Sequence, residues 1–175
     1  MKKVIFVLAI SVVAFVAMNV LLAPQKADAQ SGTRVGKQAH YDALWSWLQR
    51  TNYTKWNGTD GTPPAFEEGQ SPHGALIKTY VSAKAATNLK DLPNGAVIVK
   101  ENYSPDKKLM AITVMHRSAG YDPDHGDWYY AKYMPNGKIN VTSPEMKSIP
   151  VAGKFMMCIE CHSGATGNDF AFFND

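Results

Sequence analysis

Cysteine is scarce in this chain, with two in 175 residues. That excludes a disulfide-stapled miniprotein, which needs several bridges to make up for a small core. Charge is sparse too: Asp, Glu, Lys and Arg make up 19% of the residues, and the net charge is only +3. No block of like charge occurs, so the clustered basic face of a nucleic-acid binder is missing and no nucleic-acid partner is expected. There are no internal repeats or low-complexity segments, and 45% of the residues are hydrophobic. Disordered and collagen-like chains are thereby excluded. The length suits one domain with a real core.

A long apolar run occurs once, from Val4 to Leu22, after Lys2 and Lys3 and before Ala27-Asp28-Ala29. A charged start, an apolar middle and a small-residue site form the order of a secretory signal. Cleavage is expected after Ala29, leaving residues 30–175 as a single domain. The competing reading is a retained membrane anchor, since a 19-residue run broken only by Ser11 and Asn19 comes close to spanning a bilayer. Cleavage would remove Lys2, Lys3, Lys26 and Asp28 and lower the net charge to +1. The mature protein is thus expected to be near neutral and to work in the periplasm or otherwise outside the cytoplasm.

Beyond the signal, Tyr41, Leu44, Trp45 and Leu48 fall at helical spacing and predict a helix within Gln38 to Trp56. Asn57 to Pro72 reads as loop, being rich in glycine and proline. Ala75 to Val81 alternates like a strand, and Ser82 to Lys90 reads as one or two helical turns with Ser82 as cap. Ala96 to Tyr103 and Leu109 to His116 form a predicted hairpin across Ser104 to Lys108. A loop from Arg117 to Asp127 leads to a strand at Trp128 to Met134, a turn at Pro135 to Lys138 and a short segment at Ile139 to Thr142. The pattern is that of an α+β domain built on an antiparallel sheet.

Both cysteines lie in Cys158-Ile159-Glu160-Cys161-His162. A C-x-x-C-H run is the attachment signature of haem c: two thiols about one turn apart add to the two vinyl groups, and the next histidine ligates the iron. Tetrahedral zinc needs four ligands, and no second Cys or His cluster lies nearby in sequence. A thioredoxin-like pair expects a βαβ context and gives the histidine no role. A disulfide across two residues would close too small a loop to stabilise much. Cys158 and Cys161 are therefore the expected covalent anchors of one haem c, with His162 as the proximal iron ligand. Only 13 residues follow His162, so any sixth ligand must come from upstream.

The run from Cys158 to Phe172 reads C-x-x-C-H-x-x-A-x-x-N-D-[FY]-x-F and resembles the cytochrome P-460 and cytochrome c′-beta family at Ala165, Asn168, Asp169, Phe170 and Phe172. Two upstream segments match as well: Ser71-Pro72-His73-Gly74 leading into Lys78-Thr79-Tyr80-Val81, and Gly120-Tyr121-Asp122-Pro123 leading into Gly126-Asp127-Trp128. The resemblance implies an antiparallel sheet with a few flanking helices, haem c against one sheet face, a homodimer, and five-coordinate iron with an open distal side. It further implies one of two chemistries. Cytochromes P-460 oxidise hydroxylamine and carry a lysine cross-linked to the porphyrin; cytochromes c′-beta bind nitric oxide or carbon monoxide in an apolar pocket.

For the cross-link, Lys84 and Lys90 are the nearby candidates, although the family position falls nearer Thr87. On the distal side the candidates are His116 and Met115, followed by His73, Met110 and Met134, with His40 and His125 further from any role. Lys78, Arg117 and Lys132 could pair with haem propionates, Tyr121, Asp122 and Asp127 could shape a distal loop, and Asp127 or Glu101 could move protons. Three functions follow: capture of a diatomic gas such as nitric oxide, oxidation of hydroxylamine, or electron carriage by six-coordinate iron. The partner is accordingly a small diatomic gas or hydroxylamine, together with a redox partner protein.

Overall fold

The computed structural model describes residues 37–167 and 169–174. The expected signal and its cleavage site, residues 1–29, lie outside the described residues, as does Asn168. Helix α1 (Lys37–Arg50) is followed by strands β1 (Glu67–Glu68), β2 (Leu76–Val81), β3 (Val97–Tyr103), β4 (Leu109–Arg117), β5 (Trp128–Tyr133) and β6 (Ala152–Gly153), then by helix α2 (Met156–His162). The six strands form one sheet in chain order, β1-β2-β3-β4-β5-β6, with every neighbouring pair antiparallel. The expected α+β architecture is the one observed.

The sheet separates two apolar layers because its central strands alternate apolar side chains on both faces. Val97, Val99, Ile112, Val114, Tyr129, Ala131 and Tyr133 face α1, where Tyr41, Leu44 and Leu48 bury the predicted stripe. Full burial of a side chain such as Leu48, which has no exposed surface, is worth about 1.5–3 kcal/mol. Tyr133 Oη also donates to the Tyr41 carbonyl at 2.8 Å, tying helix to sheet. On the other face Val81, Ile98, Met115, Trp128 and Tyr130 meet Ala85, Leu92, Ile159 and Ala171. That second layer positions the cysteine motif.

Element boundaries differ from expectation in four places. The helix expected to reach Trp56 stops at Arg50, because Asn52 turns into the left-handed region at φ 50°; a 3-10 turn follows at Tyr53–Lys55. The loop at 57–72 holds the two-residue strand β1 on the sheet edge. Only a single 3-10 turn, Ala85–Thr87, forms within 82–90. There Ser82 Oγ accepts the Ala85 amide at 3.2 Å and the Val97 amide at 3.1 Å, so it joins the turn to β3 as well as capping it. Segment 139–142 makes isolated bridges, Tyr133 with Ile139 and Val141 with Pro150, rather than a strand.

Candidate functional site

Helix α2 has only seven residues, and its register decides the site. Ile159 and His162 lie three apart on one face and are both buried, Ile159 within the second apolar layer. Cys158 and Cys161 share the same three-residue spacing, which sets both thiols along one edge of the helix, and neither is in a disulfide among the described residues. Burial pushes the Cys158 thiol up to about 11. A redox-active cysteine pair needs a depressed thiol, so this environment suits a thioether anchor and not thiol–disulfide exchange. No cluster of three or more His, Cys, Asp or Glu side chains that could hold a bare metal ion occurs among the described residues.

His162 Nδ1 lies 2.8 Å from the Phe170 carbonyl. A carbonyl only accepts, so Nδ1 carries the proton and Nε2 keeps its lone pair for a metal. The C-terminal tail holds that carbonyl in place. Asp169 accepts the Leu92 amide at 2.8 Å, and its own carbonyl accepts Trp128 Nε1 at 2.7 Å. Phe170, at φ 64°, then packs where a Cβ on Gly126 would come within 2.7 Å of its ring. Gly126 therefore serves the tail's close approach to the loop.

Cys158, Cys161 and His162 open onto a cavity of about 310 Å³ between the second sheet face and segment 140–157. Ile98, Met115 and Tyr130 contribute from the sheet, and Ala171, Phe172 and Phe173 from the tail. Tyr130 Oη is buried and finds no partner among the described residues. Two cations, Lys100 and Lys132, also line the cavity. Two thiols on one edge, an imidazole with Nε2 available, apolar walls and a pair of cations for carboxylates fit a covalently held haem.

Sheet parity sorts the other sequence candidates. Met115 faces the cavity, flanked on the same face by Thr113. His116 does not: it points toward α1, stacked on His40 with centroids 5.9 Å apart and planes at 11°. Its role as a distal group is therefore corrected; adjacent strand residues face opposite layers. Glu101 is likewise on the α1 face, accepting hydrogen bonds from Tyr53 (3.0 Å), Tyr80 (2.8 Å) and Tyr103 (2.6 Å). Lys84 and Lys90 are exposed and do not line the cavity.

Among the expected propionate partners only Lys132 reaches the cavity. Arg117 is spent on the carbonyls of Leu92 and Gly126, and Lys78 sits 4.5 Å from the Phe66 ring centre. Tyr121, Asp122 and Asp127 do not line it either. Asp127 takes the amides of Gly120 and Asp122 at 3.0 Å each, while Asp122 holds Lys154 at 3.0 Å and His125 at 3.1 Å. Burial works to raise the Asp122 carboxyl, but Lys154 and His125 keep it below the ordinary carboxylate range. These residues lock the loop. Met110 and Met134 are exposed and absent from the cavity wall.

Two further cavity residues stand out, Lys100, which was not among the sequence candidates, and His73, which was a minor one. Lys100 lies between Ile98 and Asn102 on the cavity face of β3, and burial lowers its ammonium pKa, with Glu67 and Cys161 opposing. A lysine in phase with Ile98 was the signal for it. His73, ranked behind His116 in sequence, lines the cavity 6.1 Å from His162 between ring centroids. Burial, then Lys100 and His162, pull its pKa down to about 4, so the ring is neutral. The sequence signal for it was the Ser71-Pro72-His73-Gly74 segment of the family resemblance, while no local periodicity places a loop residue in the cavity.

The antiparallel sheet and the cysteine–histidine helix opening onto an apolar cavity make a site whose residues fit a haem, the group that defines the cytochrome class of protein. The profile of the Cytochrome P460 family matches residues 51–173, and the chain belongs to that family. No curated protein matches it.

Proposed function

We propose that this protein is an exported mono-haem c-type cytochrome that captures a small uncharged diatomic, nitric oxide foremost, on the iron side opposite His162, and takes part in redox chemistry. The observation that carries the reading is the opening of Cys158, Cys161 and His162, with its Nδ1–H committed to Phe170, onto one apolar cavity. Bound there, a haem supplies a redox-active iron that takes diatomic ligands. The two thiols would anchor its edge, His162 Nε2 would hold the metal, and Lys100 and Lys132 would pair with propionates. Ile98 and Met115 give the cavity apolar walls that suit an uncharged ligand. The charged start, apolar run and Ala27-Asp28-Ala29 of residues 1–29 support work outside the cytoplasm. Exposed apolar side chains at the cavity mouth, among them Val141, Met146, Met157 and Phe172, suit a second copy or a redox partner protein.

Optical titration of the reduced holo-protein with nitric oxide and carbon monoxide tests the reading. Saturable one-to-one spectral changes are expected with both; a spectrum unmoved by either gas would refute it.

Lys100 favours a second reading, oxidation of hydroxylamine with a lysine–porphyrin link, because it lines the cavity, half-way along β3, and interacts with Cys161. Peptide mapping of the holo-protein decides it. A Lys100 peptide released unmodified excludes that reading, as would free release of Lys84 and Lys90 for the sequence candidates.

A further inference from the structure

On the α1 face of the sheet, away from the cavity, three buried polar atoms have no hydrogen-bond partner among the described residues: His40 Nε2, His116 Nδ1 and Tyr129 Oη. The fold gathers their side chains. His116 and Tyr129 stand directly opposite each other on β4 and β5, so both point to the same face. His40, in the first turn of α1, packs against both, with its ring centre 4.1 Å from that of Tyr129 and 5.9 Å from that of His116. Tyr129 is 3% exposed, so bulk solvent does not reach its hydroxyl. Buried polar atoms are rarely left unpaired in native cores, and three in one cluster point to an occupant.

The chemistry of the three groups narrows that occupant. Burial lowers the pKa of both histidines, and His40 lowers His116 further, so both rings are neutral at ordinary pH. The buried nitrogen of each is committed to no other group, which frees its lone pair for a metal. Burial, then Tyr121, Tyr41 and Asp42, raise the Tyr129 phenol, so the surroundings disfavour added negative charge and suit a cation. Lys154, above the Tyr121 ring, is paired with Asp122. Imidazole nitrogens that share one ion at about 2.0 Å bring their ring centres within about 6 Å, and the His40–His116 separation meets this. A water molecule could bridge the same atoms. Two imidazoles favour a late first-row metal ion instead, and both rings are only half-buried, which gives the ion a way in.

We infer that His40, His116 and Tyr129 form a second metal site, for one divalent ion of the zinc or copper type. His40 Nε2 and His116 Nδ1 are its ligands, Tyr129 Oη is the third donor, and solvent completes the shell. The third donor is a phenol, so the site is not one of the clusters of His, Cys, Asp and Glu excluded above. The ion exchanges bound waters for these groups, with no electron transferred, and pins the first turn of α1 to β4 and β5. Its place on the opposite face of the sheet makes it independent of the haem reading.

The test uses the full haem-loaded chain without an added histidine tag, with Zn²⁺ as the probe. Equilibrium dialysis followed by elemental analysis should find one zinc per chain. At about a hundred-fold excess over its dissociation constant, zinc should raise the melting midpoint by about 8 °C. The haem spectrum should not move. His40→Gln and His116→Gln should each weaken zinc binding about ten-fold or more, and Tyr129→Phe should weaken it less. His40→Gln changes a half-buried side chain at the start of α1 and decides the matter if the strand variant fails to fold. A wild type that takes up no zinc overturns the inference and leaves the three atoms to an internal water. Zinc held by His40→Gln as tightly as by wild type, or a haem spectrum that shifts with zinc, overturns it by placing the ion elsewhere. A chain that acquires no haem contradicts the proposed function and leaves this zinc measurement valid.

Discussion

Replacing Asp169 with alanine should unsettle His162 although the two side chains have different partners. The Asp169 carboxylate is 2% exposed and accepts the Leu92 amide across 77 residues of sequence. Losing a charged hydrogen bond costs about 1.5–3 kcal/mol, and the buried Leu92 N–H left behind adds about 1 kcal/mol or more. The Trp128 bond to the Asp169 backbone survives, which keeps the total near about 3 kcal/mol. At about 3 °C per kcal/mol for a domain of this size, the holo-protein should melt roughly 9 °C lower. Asp169→Asn retains an acceptor oxygen and should recover about half of the loss. Because the tail supplies the Phe170 carbonyl to His162 Nδ1, loosening it should weaken the imidazole as a donor and raise the reduction potential. Thermal melts followed by circular dichroism, with potentiometry alongside, measure both effects. An Asp169→Ala protein melting within about 2 °C of wild type would refute the claim that this contact anchors the tail.

Other expectations follow from the layer behind the sheet. Glu101→Ala leaves three tyrosine hydroxyls without their acceptor and should cost about 3–5 kcal/mol in denaturant titration. The haem spectrum should stay unchanged, since Glu101 faces α1. Burial lowers the pKa of both His40 and His116, and His40 lowers His116 further. The unfolded chain then takes up protons at the ordinary value of about 6.5 while the folded one resists. Stability should therefore be fully present above that pH and decline as pH falls below it; His116→Phe should flatten the decline in melts run from pH 8 to 5.

Much of the architecture was legible because it is written in local alternation. The runs at β3, β4 and β5 carry period-two apolar patterns, and the α1 stripe sits on its expected face. Parity was not legible. The sequence shows that Met115 and His116 face opposite layers without saying which layer holds the cavity, so both stood as distal candidates when only one reaches it. Lys100 is not legible in the sequence because a strand lysine normally reads as a solvated edge, and here the second layer covers it. His73 depends on contacts with Thr113 forty residues away, which no local pattern encodes. The cysteine motif needed no tertiary knowledge, since its chemistry is contained in five consecutive residues.

The central claim is that Cys158, Cys161 and His162 hold one haem covalently. Intact mass of the chain produced with haem-attachment machinery, read beside its reduced pyridine spectrum, tests this most directly. One haem per chain joined by two thioethers is expected, falling to a single thioether in Cys158→Ala. A chain at its bare polypeptide mass, or one whose haem is extracted by acidified organic solvent, would contradict the account.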